Sequence, residues 1–153
     1  MQADLLSTVR EALAAKMDEY FAEIVQITDP LSDAQLWKKP VAPGNSIGHL
    51  ILHLTGNLNH FAGARLGGSG YVREREREFT ETHPPLKAAL IANLKAAVAT
   101  FRRVVMGLSA EQLVAPFPEA NFGNTMNALL RLVGHFALHR GQMTYLARLV
   151  GGK

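Results

Sequence analysis

Three histidines in this chain have the spacing to hold a metal ion: His53, His135 and His139. Each lies in a long apolar segment with helical periodicity. His135 and His139 are four residues apart in GHFALHRGQ, so on a helix they sit one above the other on one face. His53 belongs to a distant segment, SIGHLILHLTGN. Two imidazoles from one helix and one from another supply three nitrogen donors and leave a coordination position open. That is the composition of a catalytic metal site rather than a closed structural one. The spacing by itself also fits ordinary hydrogen-bonded histidines.

Such a site needs helices to carry it, and four segments read as helices. The first, about residues 3–25, places Leu5, Val9, Leu13, Met17, Phe21 and Ile24 on one stripe. The second starts near Ser46 and runs to Leu66, where Gly67-Gly68 stops it. The third opens at Pro84-Pro85 and continues through Leu86, Leu90, Leu94, Val98, Phe101 and Val105. The fourth spans about residues 124–150, before Gly151-Gly152. No stretch alternates as a strand. Leu31-Ser32-Asp33-Ala34-Gln35-Leu36 resembles Leu108-Ser109-Ala110-Glu111-Gln112-Leu113, and both carry a capping-box pattern for a short helix. Each precedes a His-x-x-x-His segment, His49/His53 and His135/His139. Two similar helix pairs predict an all-α four-helix bundle of up-down-up-down type with approximate twofold symmetry, its long loops permitting crossovers.

On the second helix Ile47, Leu50, Ile51, Leu54, Leu58 and Phe61 form the apolar side, and Ser46, His49, His53, Asn57 and His60 a neighbouring polar stripe. His53 falls at the edge of the buried face, with His49 further towards solvent. On the fourth, His135, His139, Gln142 and Leu146 run beside Leu132, Phe136 and Met143. Asn57 and Gln142 stand one turn from a candidate ligand and are candidates to orient it. His60 and His83 read as solvent-facing.

The whole chain sets bounds on this reading. Its 153 residues, 48% of them hydrophobic, suffice for a single domain over residues 1–153. No apolar run is long enough for a membrane span. The first residues lack the pattern of a signal peptide, and the expected compartment is cytoplasmic. With no cysteine, disulfides, thiolate ligands and a cysteine nucleophile are excluded. The net charge is +3, with seven acidic side chains in residues 1–40 and none after Glu119. An acidic first helix against a basic last one is mutually favourable. No dense basic stripe with interleaved aromatics predicts nucleic-acid binding.

Ser46 to Asn57, the stretch from Arg73 to Phe79, and Gly134 to Gln142 together resemble the DinB-like superfamily of bacterial four-helix proteins, grouped as metal-dependent hydrolases of the DinB/YfiT type. The resemblance covers essentially the whole chain. Its pattern is a second-helix His following Ser by seven residues and a late His-x-x-x-His-x-x-Gln, matched by Ser46, His53, His135, His139 and Gln142. The resemblance implies that His53, His135 and His139 are metal ligands. His49 departs from the pattern by placing a competing imidazole one turn away. The resemblance also implies a homodimer, and a transferase or isomerase using a low-molecular-weight thiol such as bacillithiol, mycothiol or glutathione on a small electrophilic substrate. A soft thiolate alongside three imidazoles suits zinc or nickel. The alternatives are a metal-dependent hydrolase using a metal-bound water, and a non-catalytic, stress-associated metal-binding bundle. A hydrolase wants a general base nearby. The second helix offers no carboxylate and neither does the fourth, leaving His49 and His60. That absence favours transfer over hydrolysis.

The Arg73, Arg75 and Arg77 series reads as a solvated connection paired with Glu74, Glu76 and Glu78. Gly134 and Gly141, inside the fourth helix, read as places where another helix or a ligand approaches closely. Trp37 reads as a core plug under the first connection, and Met106, Met126 and Met143 as packing.

Overall fold

The computed structural model describes residues 2–151, with side chains from Leu5 onward. Gly152 and Lys153, which the charge pattern and the final helix stop include, lie outside the described residues. The elements are α1 (Gln2–Thr28), α2 (Asp33–Trp37), α3 (Ile47–Leu58), α4 (Arg77–Thr80), α5 (Lys87–Gly107), α6 (Ala110–Val114) and α7 (Thr125–Leu149). No strand occurs among the described residues, and no helix among them is long and apolar enough to cross a membrane. The expectation of an all-α four-helix bundle holds.

The four long helices bury the stripes read from sequence. Met17 and Ile24 of α1, Leu50, Ile51 and Leu54 of α3, Leu94, Phe101 and Val105 of α5, and Leu129, Phe136 and Met143 of α7 meet in one core. Leu5, near the start of α1, and Leu86, the N-cap of α5, are exceptions, 65% and 66% exposed. Met106, on the outer side of α5, is also exposed.

α1 packs on α5 and α7, and α3 packs on the same two helices. Consecutive long helices, α1 with α3 and α5 with α7, therefore stand across the bundle diagonal. The connections that make these crossings are the two holding the repeated hexapeptides. Both short helices have the expected reciprocal cap. Ser32 accepts from the Gln35 amide while Gln35 Oε1 accepts from Ser32 N, and Ser109 and Gln112 do the same. Simple nearest-neighbour connectivity is thus replaced by two diagonal crossovers, each stiffened by a capped turn. The acidic-to-basic complementarity is also present, with Arg140 of α7 2.7 Å from Glu23 of α1.

The second predicted helix is not α-helical throughout. After Leu58 the chain widens into a π-helix over Asn59–Leu66. Gly67 N donates to Ala62 O at 2.9 Å, a bond spanning five residues. The polar stripe extrapolated from Ser46 at the α-period therefore ends at Asn57.

Candidate metal centre

α3 begins at Ser46, whose hydroxyl accepts the amide of His49. That cap fixes where the helix starts, and two turns on it carries His53 to the bundle interior, 6% exposed. α7 is started by the Asn124 side chain on the amide of Asn127 and presents His135 and His139 one turn apart. His53 Nε2 lies 3.0 Å from His135 Nε2, and His139 Nε2 lies 2.8 Å from the same atom. Among the described residues these three form a group with metal-ligating atoms within 4.8 Å of one another.

The outer nitrogens decide where the protons are. His53 Nδ1 donates to Glu78 Oε2 at 2.8 Å, which leaves a lone pair on His53 Nε2. His139 Nδ1 donates to Gln142 Oε1 at 2.7 Å, with the same result. Two lone pairs thus aim at His135 Nε2, whose single proton, if placed there, satisfies only one of them. A cation in their midst would satisfy all three nitrogens.

Burial, reinforced by the neighbouring imidazoles and Arg73, lowers the pKa of His135 to about 4. Burial lowers that of His139 as well, against the opposing hydrogen bond of Gln142. Both rings are held in the neutral form that ligates metals.

Glu78 was missed by the sequence reading, which left it in a solvated charge run. It is 7% exposed, on α4, and anchors His53. Arg73 clamps it with Nε to Oε1 at 2.7 Å and a second nitrogen to Oε2 at 2.9 Å. The same guanidinium nitrogen is 3.2 Å from His53 Nδ1, where two donors share the carboxylate oxygen. Burial alone would raise the Glu78 pKa, but the hydrogen bonds from His53 and Arg73 and the charge of Arg73 hold it below the ordinary carboxylate value. Gly56 of α3 makes the approach possible, because a Cβ there would strike Glu78 Oε1. Phe79 packs against the His53 ring, centroids 4.9 Å apart. Only the outer part of the charge run is solvated, with Arg77 paired to Glu74 at 3.1 Å.

The other histidines stand apart from the cluster. His49, expected towards solvent, is 6% exposed. Trp37 of α2 lies edge-on to its ring, centroids 5.1 Å apart, and Ser46 Oγ meets its Nδ1. Trp37 plugs the first crossover as expected, with Nε1 donating to Pro85 O at 3.2 Å. Gly48 gives it room, since a Cβ there would lie 2.7 Å from the indole. His60 is half-buried rather than solvent-facing: its Nε2 is 2.9 Å from Glu119 Oε1, which Arg65 also holds. His83 is exposed, as expected.

Two openings flank the cluster along α7. An apolar groove of about 740 Å³ is lined by Val41, Leu50, Leu138, Gly141, Gln142 and Tyr145 among others. Gly141 does not serve close helix packing, and neither does Gly134: a Cβ at either would meet nothing within 4 Å. A smaller pocket of about 240 Å³ is lined by Asn57, Phe122, Arg131, Leu132 and His135.

Among solved structures, a crystal structure of a conserved protein from Enterococcus faecalis shares the fold, with a TM-score of 0.79 over 95% of this chain and 98% of that one at 17% identity. No curated protein matches the chain. The profile of the Mycothiol-S-transferase family matches residues 12–152, which include all three clustered histidines, Glu78 and Gln142. On that match the chain belongs to the Mycothiol-S-transferase family, within the DinB-like superfamily.

Proposed function

We propose that this protein transfers a small electrophilic group onto a low-molecular-weight thiol at a divalent metal held by His53, His135 and His139. The observation that carries the reading is the convergence of three Nε2 atoms, with Nδ1 of His53 and His139 donating to Glu78 and Gln142. Family membership names the thiol class. A divalent cation of the zinc or nickel type supplies Lewis acidity that keeps a thiol sulfur ionised near neutral pH.

The chain's own residues do the rest. Glu78 and Gln142 fix the two rings in the tautomer that offers Nε2. Arg73 fixes Glu78. The groove around Gly141 receives the apolar part of the electrophile, because it is open, apolar and shares Gln142 with the cluster. In the transfer a sulfur–carbon bond forms as the carbon–leaving-group bond breaks, and the thiol proton passes to solvent.

Glu78 supplies the carboxylate that the sequence reading found lacking, but both its oxygens are engaged by His53 and Arg73. It is therefore a positioning residue and not a free base for hydrolysis. The test is an assay of zinc- or nickel-loaded protein with an alkyl halide and mycothiol, bacillithiol or glutathione, following thioether by mass spectrometry. Thioether formation that needs the protein and disappears in His139→Ala supports the proposal. Absence of thioether with every thiol, or ester cleavage without thiol, overturns it. We also propose that the chain pairs as a homodimer through the apolar surface where Val9 and Leu13 of α1 meet Met126, Leu130 and Val133 of α7, which leaves the groove around Gly141 open.

A further inference from the structure

Glu78 and Gln142 orient two rings of the cluster with different chemistry. Each accepts a hydrogen bond from an outer ring nitrogen, Glu78 at 2.8 Å from His53 Nδ1 and Gln142 at 2.7 Å from His139 Nδ1. A carboxylate is the stronger acceptor for an imidazole N–H, and the fold uses one at His53. At His139 it uses an amide. The two side chains differ in their second arm. The second oxygen of Glu78 is held by Arg73 at 2.7 Å. The second arm of Gln142 is an NH2 group, and it makes no hydrogen bond to another described residue.

The ring decides which way that amide points. When His139 Nε2 offers its lone pair to the cluster, Nδ1 carries the proton. The arm facing Nδ1 is then the oxygen, and the arm turned away is the nitrogen. Gln142 is exposed and lines the groove of about 740 Å³, one imidazole ring away from the ligating nitrogen. The rest of the lining, with Val41, Leu50, Leu138 and Leu146, is mostly apolar and has no carboxyl, imidazole or ammonium group. Free N–H donors in such surroundings match an oxygen on the groove's occupant, above all one that gains negative charge during the reaction.

We infer that the Gln142 side-chain amide is a catalytic group for epoxides, its Nε2 donating to the epoxide oxygen as the ring opens. The inference rests on the thiol-transferase reading. The sulfur–carbon bond forms, the carbon–oxygen bond breaks, and its electron pair stays on oxygen. In-line attack sends that oxygen away from the sulfur and into the groove that Gln142 lines. The alkoxide takes a proton from water, replacing the one the thiol released, and the product is a β-hydroxy thioether. An amide donates without ionising, so one side chain serves His139 through its oxygen and the substrate through its nitrogen. A carboxylate at residue 142 would serve only the first.

The decisive substitution is Gln142→Glu, which keeps an oxygen for His139 Nδ1 and removes the donor. Zinc-loaded wild type and variant are compared with mycothiol and two electrophiles built on one apolar body, styrene oxide and phenethyl bromide. Elemental analysis gives metal content. Separately, nitrogen NMR of wild type follows the Gln142 side-chain NH2 as acetophenone or ethylbenzene is added. Acetophenone has a carbonyl oxygen and no leaving group; ethylbenzene has neither. Gln142→Glu is expected to lower kcat/KM about 100-fold for styrene oxide, the usual cost of losing a donor to a developing oxyanion, and by less than about tenfold for the bromide. Zinc content stays at the wild-type level. Acetophenone moves the Gln142 signal and ethylbenzene does not.

Equal losses for the two electrophiles, or loss of zinc in Gln142→Glu, overturns the inference and leaves Gln142 a positioning residue for His139. So does a Gln142 signal that stays still or that ethylbenzene moves equally. Thioether from the bromide alone in wild type overturns it too. Thioether from neither electrophile, with acetophenone still moving the signal, upholds the oxygen site and removes the thiol-transferase reading instead.

Discussion

Glu78 Oε2 lies 2.8 Å from His53 Nδ1 across a gap that exists because residue 56 is glycine. One carboxylate therefore sets the tautomer of one ring, and one missing methyl group lets the carboxylate in. Glu78→Gln is expected to lower metal affinity by about 10–100-fold, the usual effect of losing a partner of a metal-binding histidine. Gly56→Ala should do the same without touching either residue, by pushing Glu78 off the ring. Competition against a colorimetric chelator measures both. Unchanged affinity in Gly56→Ala would mean that Glu78 does not position His53.

Gly134 has no such neighbour. A Cβ there meets open space, so Gly134→Ala should stabilise the protein by about 1 kcal/mol through backbone entropy and helix propensity. Urea denaturation of the two proteins is the check, and destabilisation would reveal a contact at that surface.

The metal-free protein should lose stability on acidification. His135 has a folded pKa of about 4, below its ordinary 6.5, chiefly because of burial, so the unfolded chain takes up the proton first. Its contribution is fully present above about pH 6.5, declines as pH falls, and is exhausted below about pH 4. His139 and His49, both lowered mainly by burial, act with the same sign. Denaturant titrations of chelator-treated protein across this window should show the decline, and His135→Gln should flatten it. A stability that rises towards pH 4 would contradict this assignment.

Sedimentation should give a species of about twice the 16.7 kDa chain mass at micromolar concentration. Replacement of Leu130 by Glu, which puts a charge on the exposed apolar surface between α1 and α7, should shift it to monomer. A single chain-mass species in wild type would leave that face unpaired.

What was legible in the sequence were periodic and local features. The apolar stripes of α1, α3, α5 and α7 and the Ser32/Gln35 and Ser109/Gln112 caps report short-range geometry, and the bundle follows from them. The His135/His139 pair is also local, one helical turn on one face. What escaped were contacts made over distance. Glu78 reaches His53 from another element, and alternating charge in its segment carries no sign of which residue turns inward. His49 faces the side its helical angle predicts, but Trp37 of α2 covers it. His60 meets Glu119 from a connection far along the chain, on a π-helix whose onset has no clear periodic signal. The diagonal crossovers depend on which helices pair, which amphipathic stripes do not specify.

The central claim is a cation held by His53 with His135 and His139, and elemental analysis tests it most directly. Untagged protein, His53→Ala and His49→Ala are purified without added metal, dialysed and measured. The account predicts roughly one zinc or nickel per chain in wild type and in His49→Ala, and little in His53→Ala, where a three-ligand site has dropped to two. No metal in wild type, equal retention in both variants, or loss only in His49→Ala would contradict it.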